Sequence, residues 1–190
     1  GSAVTSLKVD CHALQIDELN GTKPTEQIDL SGKGLSVASA IIIASCIKGN
    51  DVLKELNLKL NRIGAKGASV LAAILKETKI TTLGVCSNNI TGDAASHLAK
   101  VVLDHAAMTE FCGIPLASLR ENSITELDLP GKGIGVPGAI VLSKLLPSAA
   151  ALTSLNLADN ELCDLSAFGE GTYTTEGITK LCEGLKGSAV

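Results

Sequence analysis

The sequence predicts an α/β protein built as an array of strand–turn–helix units. Three observations lead there. A strand rhythm gives way to a helix rhythm within one short stretch, that composite recurs at a steady interval, and the apolar residues are nearly all aliphatic. Residues 53–75, "LKELNLKLNRIGAKGASVLAAIL", show the composite. Leu56 and Leu58 alternate as residues on one face of a strand do. After Asn61 and Ile63, Val70, Leu71, Ile74 and Leu75 fall at helical spacing.

With Leu56 as the mark, the counterparts are Leu7, Ile28, Leu83, Phe111, Leu127 and Leu155, at intervals of 21, 28, 27, 28, 16 and 28 residues. An apolar residue follows seven positions later in five units, at Leu35, Ile63, Ile90, Ile134 and Leu162. A longer echo overlies the short one: "DLSGKGLSVASAIII" from Asp29 returns as "DLPGKGIGVPGAIVL" from Asp128. The two short intervals, after Leu7 and after Phe111, leave no room for a full helix, so their return legs are expected to be extended or a single turn. The last unit is longer: aligning Gly177 with Gly67 places 11 extra residues within "CDLSAFGEGTYTT". The chain opens and closes on GSAV, and the phase of the two copies predicts one domain over residues 1–190 that is a segment of a longer array.

Composition narrows the function. The chain has 190 residues, 45% of them hydrophobic, with a net charge of −4, two phenylalanines, one tyrosine and no tryptophan. Arg62 and Arg120 are its two arginines. Neither a basic stripe nor stacking aromatics mark a nucleic-acid binder. The longest apolar run, residues 40–47, is far short of the roughly 20 residues of a membrane span. Six cysteines without a C-x-x-C pair fit a reducing, cytoplasmic setting, against which stand the sequons headed by Asn20 and Asn89. Thr91, in the second of these, is expected to cap a helix.

The motif Leu-x-x-Leu-x-Leu-x-x-Asn, as in "LKELNLKLN" and "LTSLNLADN", followed by a helix in a unit of 27–28 residues, resembles the ribonuclease-inhibitor class of leucine-rich repeats. That resemblance implies a right-handed solenoid, a horseshoe arc of about seven strands and five helices, with a parallel sheet on the concave face and helices on the convex face. It implies a ladder of asparagines at Asn61, Asn88 and Asn160, whose amides satisfy turn backbone. Lys33 and Lys132 depart from the ladder inside two GKG turns, where the paired glycines suggest an altered backbone opening outward.

Chemical motifs are sparse. "GIGVPG", residues 133–138, has the form of a dinucleotide fingerprint, yet Gly138 aligns with Gly67 as a repeat position. Cys86 and Cys112 are two residues out of register on adjacent strands, facing the concave surface, which separates their Cα atoms by roughly 8 Å, too far for an unstrained disulfide. No catalytic constellation, cofactor or metal site is expected.

The outward positions of the strands offer a docking face instead. Asp29, Glu55, Glu110, Glu126 and Asp128 form an acidic stripe, with Asn57, Lys59 and Asn156 beside them. This face is the candidate site for a protein or peptide, and its charge favours a basic one. Phe168 and Tyr173 in the insertion form a second candidate surface. The leading expectation is a non-catalytic interaction scaffold. The rivals are a GTPase regulator, which the resemblance also implies, and a structural spacer that stacks head to tail through uncapped ends.

Overall fold

The computed structural model describes residues 4–165, 169 and 171–187; Phe168 and most of both GSAV copies lie outside them. Every strand mark falls inside a strand. The marked strands are β1 (Ser6–Lys8), β3 (Gln27–Asp29), β4 (Glu55–Asn57), β5 (Thr82–Gly84), β6 (Glu110–Phe111), β8 (Glu126–Asp128) and β9 (Ser154–Asn156). Ile28, Leu56, Leu83 and Phe111 lie side by side in one parallel register, and Leu127 pairs with Leu155 in another. These side chains point into the core, while their neighbours in the same strands are largely exposed.

Five helices of 11 to 13 residues follow the full-length units: α2 (Val37–Ile47), α3 (Gly64–Leu75), α4 (Gly92–Asp104), α6 (Gly135–Leu145) and α7 (Glu176–Lys186). Their inward stripe is set by alanine as much as by leucine. Ala40, Ile43, Ala44 and Ile47 recur as Ala68, Leu71, Ala72 and Leu75, then as Ala95, Leu98, Ala99 and Val102, all buried. Val70 and Ile74, placed on the inner face of α3 by the sequence pattern, are only half-buried. Small residues let the helices pack closely. A Cβ on Gly67 of α3 would lie 2.9 Å from that of Ala40 in α2, and one on Gly184 of α7 would lie 2.5 Å from Ser143 O in α6.

The short units behave as expected within themselves and break the sheet between them. After β1 the chain returns as β2 (Ala13–Gln15) and the single turn α1 (Ile16–Leu19); after β6 it returns as β7 (Ile114–Pro115) and the single turn α5 (Leu116–Arg120). Both return strands pair antiparallel with the strand before them. One seven-stranded sheet therefore becomes three: β1–β2, then β3–β4–β5–β6–β7, then β8–β9. β7 occupies the edge of β6 that β8 would have joined. In the first hairpin Leu7 is 38% exposed and lies outside the core, unlike the other strand marks. The described residues hold nine strands and seven α-helices, with a 3-10 turn at Leu146–Ser148.

The helix layer does not share this break. α2, α3, α4, α6 and α7 pack in succession, α4 resting directly on α6. Arg120 closes the gap beside the single turn, donating from Nη1 to Met108 O (2.6 Å) and from Nη2 to Leu103 O (3.1 Å) at the end of α4.

The asparagine ladder ties unit to unit. Asn61 donates to Leu30 O, Leu58 O and Lys59 O and accepts from the N–H groups of Lys33 and Leu35. Asn88 and Asn160 repeat the arrangement. This corrects the expectation for the GKG turns. Gly32 and Gly131 are left-handed (φ +62° for both), but so are Leu60, Ser87 and Asp159 at the same repeat position (φ 55°, 51° and 55°). The left-handed step belongs to every full unit, and glycine only relieves its cost. Lys33 and Lys132 do turn outward, because the asparagine of the following unit takes up their N–H groups.

Candidate functional site

On the outer face of β3–β6, opposite the leucine marks, the strands present Asp29, Glu55, Asn57, Lys59 and Glu110 around a hollow of about 280 Å³. Gly84 forms its floor. A Cβ at that position would sit 2.8 Å from Asn57 Oδ1 and 3.1 Å from Lys59 Cε, so the missing side chain is what lets the Lys59 stem lie across β5. Three carboxylates and one ammonium line the hollow. Asn57 Oδ1 accepts from the Lys59 N–H at 3.1 Å and fixes the bend that follows β4. The Ser31 hydroxyl and N–H (2.9 Å to Oδ1) hold the Asp29 carboxyl below the ordinary carboxylate range, helped by Lys33 and Asn57 and opposed by partial burial. Asp29 is therefore a fixed, ionised acceptor at the rim.

The acidic stripe is divided. Glu126, Asp128 and Asn156 are exposed on β8–β9, which is a separate sheet, and they do not line the hollow. Asp128 is engaged by Asn156, whose Nδ2 donates to Oδ1 at 2.6 Å. Of the second candidate surface, Tyr173 is 65% exposed, and Phe168 lies outside the described residues.

The other sequence motifs are absorbed by the array. Gly135 N donates to Asn160 O at 3.0 Å, so this helix start is occupied by the neighbouring turn and not open toward a phosphate. Thr91 stands at the N-cap of α4 without a side-chain cap bond; the Gly92 N–H goes instead to Glu176 Oε2 of α7 at 2.8 Å. Among the described residues no group of three His, Cys, Asp or Glu side chains could hold a metal. Among the described residues no helix is long and apolar enough to cross a membrane.

Two features were hidden from sequence reasoning. Because α5 is one turn, the loop after β5 meets the loops after β8 and β9: Ser87 Oγ donates to Glu161 Oε2 at 2.8 Å across 74 residues. Cys86 and Cys112, separated by the register argument, line one cleft and are both buried, not on the sheet's outer face. The register argument let β6 run straight on. The backbone instead turns left-handed at Cys112 (φ 54°), and its N–H bonds Leu83 O at 2.9 Å. Only proximity after that turn could have revealed the pair.

Comparison with known proteins accords with this architecture. A family model described as "Leucine Rich repeat" matches residues 49–72, the unit around β4 and α3. The ribonuclease inhibitor of Sus scrofa is 32% identical over 150 residues, 76% of this chain and 28% of that protein. The "NACHT, LRR and PYD domains-containing protein 5" of Bos taurus is 27% identical over 191 residues, 93% of this chain and 16% of that protein. A solved structure of leiomodin-1 actin-binding site 2 covers 90% of this chain and 87% of that chain, at 16% identity and a TM-score of 0.49. The chain thus spans well under a third of the length of these two sequence relatives. Its strand–turn–helix period, its asparagine ladder, the family-model match and the two sequence relatives agree: the chain is built of leucine-rich repeats.

Proposed function

We propose that this chain is a non-catalytic protein-interaction module and that the face of β3–β6 receives a basic peptide or a basic segment of a partner protein. The carrying observation is the hollow over Gly84, where Asp29, Glu55 and Glu110 surround the single ammonium of Lys59. Carboxylates ringing a concavity attract a cationic segment and orient it. The exposed amides and carboxylates of the strands can bond its side chains. In this reading the array is a right-handed horseshoe arc with the sheet on its concave side. Strands about 4.8 Å apart, backed by helices about 8–10 Å apart, must curve toward the strands. The bend relaxes at β6–β7, where only the single turn α5 stands behind two strands. The six unbonded cysteines suit a reducing compartment, and we place the protein in the cytoplasm.

Fluorescence anisotropy with a labelled Lys/Arg-rich peptide tests the reading, with the charge-reversed peptide alongside. The basic peptide is expected to bind and to weaken as salt rises. Glu55→Lys is expected to weaken it by about tenfold, on the order of 1.4 kcal/mol, while Glu126→Lys on the separate sheet changes it little. Equal binding of the acidic peptide, or an unaffected Glu55→Lys variant, would overturn the proposal.

A further inference from the structure

We propose that Cys86 and Cys112 form a reversible dithiol–disulfide pair, a modification site for hydroperoxides in which Cys86 attacks and Cys112 resolves. The pair stands on geometry. Both side chains line the cleft between the turn after β5 and the start of α6. Each is also tied by its own backbone: Cys112 N–H to Leu83 O at 2.9 Å, and Cys86 O to Leu60 N–H at 3.1 Å. Cys86 in addition borders a hollow of about 280 Å³ with Lys59, Ser87, Lys132 and Glu161, through which a small peroxide can reach its sulfur. Cys112 is more enclosed, at 1% exposure against 4%.

The two thiols differ in acidity. Burial pushes both up. In Cys86 the neighbouring Cys112 thiol and the Lys59 ammonium outweigh burial and bring it below its ordinary value. Cys112 stays well above its own, held there by burial and then by the Cys86 thiolate. Cys86, which borders the open hollow beside the Lys59 ammonium, is the nucleophile, and the more enclosed Cys112 the resolving partner.

The chemistry balances. The Cys86 thiolate attacks one peroxide oxygen, the O–O bond breaks, and sulfenic acid forms as hydroxide leaves and is protonated to water. The Cys112 sulfur then attacks the Cys86 sulfur, the S–O bond breaks, and the Cys112 proton leaves with the hydroxyl as a second water. Two sulfurs together lose two electrons and hydrogen peroxide gains them; an external thiol reverses the step. This inference is independent of peptide binding.

The test uses the unaltered protein, reduced, freed of reductant, and treated with stoichiometric hydrogen peroxide before alkylation and tryptic mapping. Cys86 and Cys112 fall in adjacent tryptic peptides, residues 80–100 and 101–120. The expected product joins these two by a bond that dithiothreitol cleaves, formed before the exposed Cys11 and Cys182 are modified. Oxidation of Cys11 or Cys182 while residues 86 and 112 remain thiols overturns the proposal, as does the same product profile in denaturant. In Cys112→Ser, dimedone is expected to trap a sulfenic acid at Cys86. Lys59→Met is expected to slow the first step by about threefold or more as the thiolate fraction falls; an unchanged rate removes Lys59 from the site. If Cys112→Ser fails to fold, the mapping of the unaltered protein still decides.

Discussion

Replacing Asn61 by alanine tests the reasoning behind the whole array. Its side chain makes five backbone bonds: 2.8, 2.9 and 3.1 Å to the carbonyls of Leu30, Leu58 and Lys59, and 3.0 and 2.9 Å from the N–H groups of Lys33 and Leu35. The amide has two N–H hydrogens for three carbonyls, so one is shared and the set counts as about four bonds; at a net value of about 1 kcal/mol each it is worth about 4 kcal/mol. The contacts to Lys33 and Lys59 are only partly buried, so water replaces part of what they lose. The expected destabilisation is then about 3–4 kcal/mol, a large part of the roughly 5–15 kcal/mol typical of a domain. Urea unfolding followed by far-ultraviolet circular dichroism measures it, with Asn156→Ala, exposed on β9, as the control. A loss below about 1 kcal/mol, or one equal to the control, would refute the claim that the ladder holds the turns. Asn61→Asp adds a second check: a carboxylate there faces three carbonyls it cannot donate to. Its folded-state pKa must rise above its unfolded value, so the variant should regain stability as pH falls through that raised value.

Gly67→Ala should be destabilising by about 1–3 kcal/mol in thermal melts despite the better helix propensity of alanine, because its Cβ would meet those of Ala40 and Ile63 at 2.9 Å each; a rise in melting temperature contradicts the close-packing account. Asp10 is bonded by the Ser39 and Ser36 hydroxyls and the Ser36 N–H, the first being the largest effect, and these hold its carboxyl below its ordinary 3.8. A depressed carboxylate stabilises the fold above its unfolded pKa and loses that contribution as pH falls through the folded value. The urea midpoints of the unaltered protein and Asp10→Asn should therefore differ at neutral pH and converge in acid below 3.8; a gap that stays constant with pH counts against this role.

The unit, its period and the inward residue of each strand were legible in the residues alone, because these depend on local side-chain alternation repeated many times. Ile28, Leu56, Leu83 and Phe111 could be aligned before any contact was known, and they lie side by side. Asn61, Asn88 and Asn160 came instead from the resemblance to leucine-rich repeats, and the structure places all three in the ladder. The outward carboxylates followed from the alternation, but not their grouping. Only the tertiary structure decided that Asp29, Glu55 and Glu110 share a hollow while Glu126 and Asp128 stand on another sheet. The cause is a two-residue left-handed turn, Cys112 and Gly113 (φ 54° and 82°), that sends the chain back as β7 and closes the edge where β8 would have paired. A two-residue turn that occurs once leaves no periodic trace in sequence. It nevertheless splits the sheet, brings Cys86 and Cys112 into one cleft, and allows α4 to pack directly on α6.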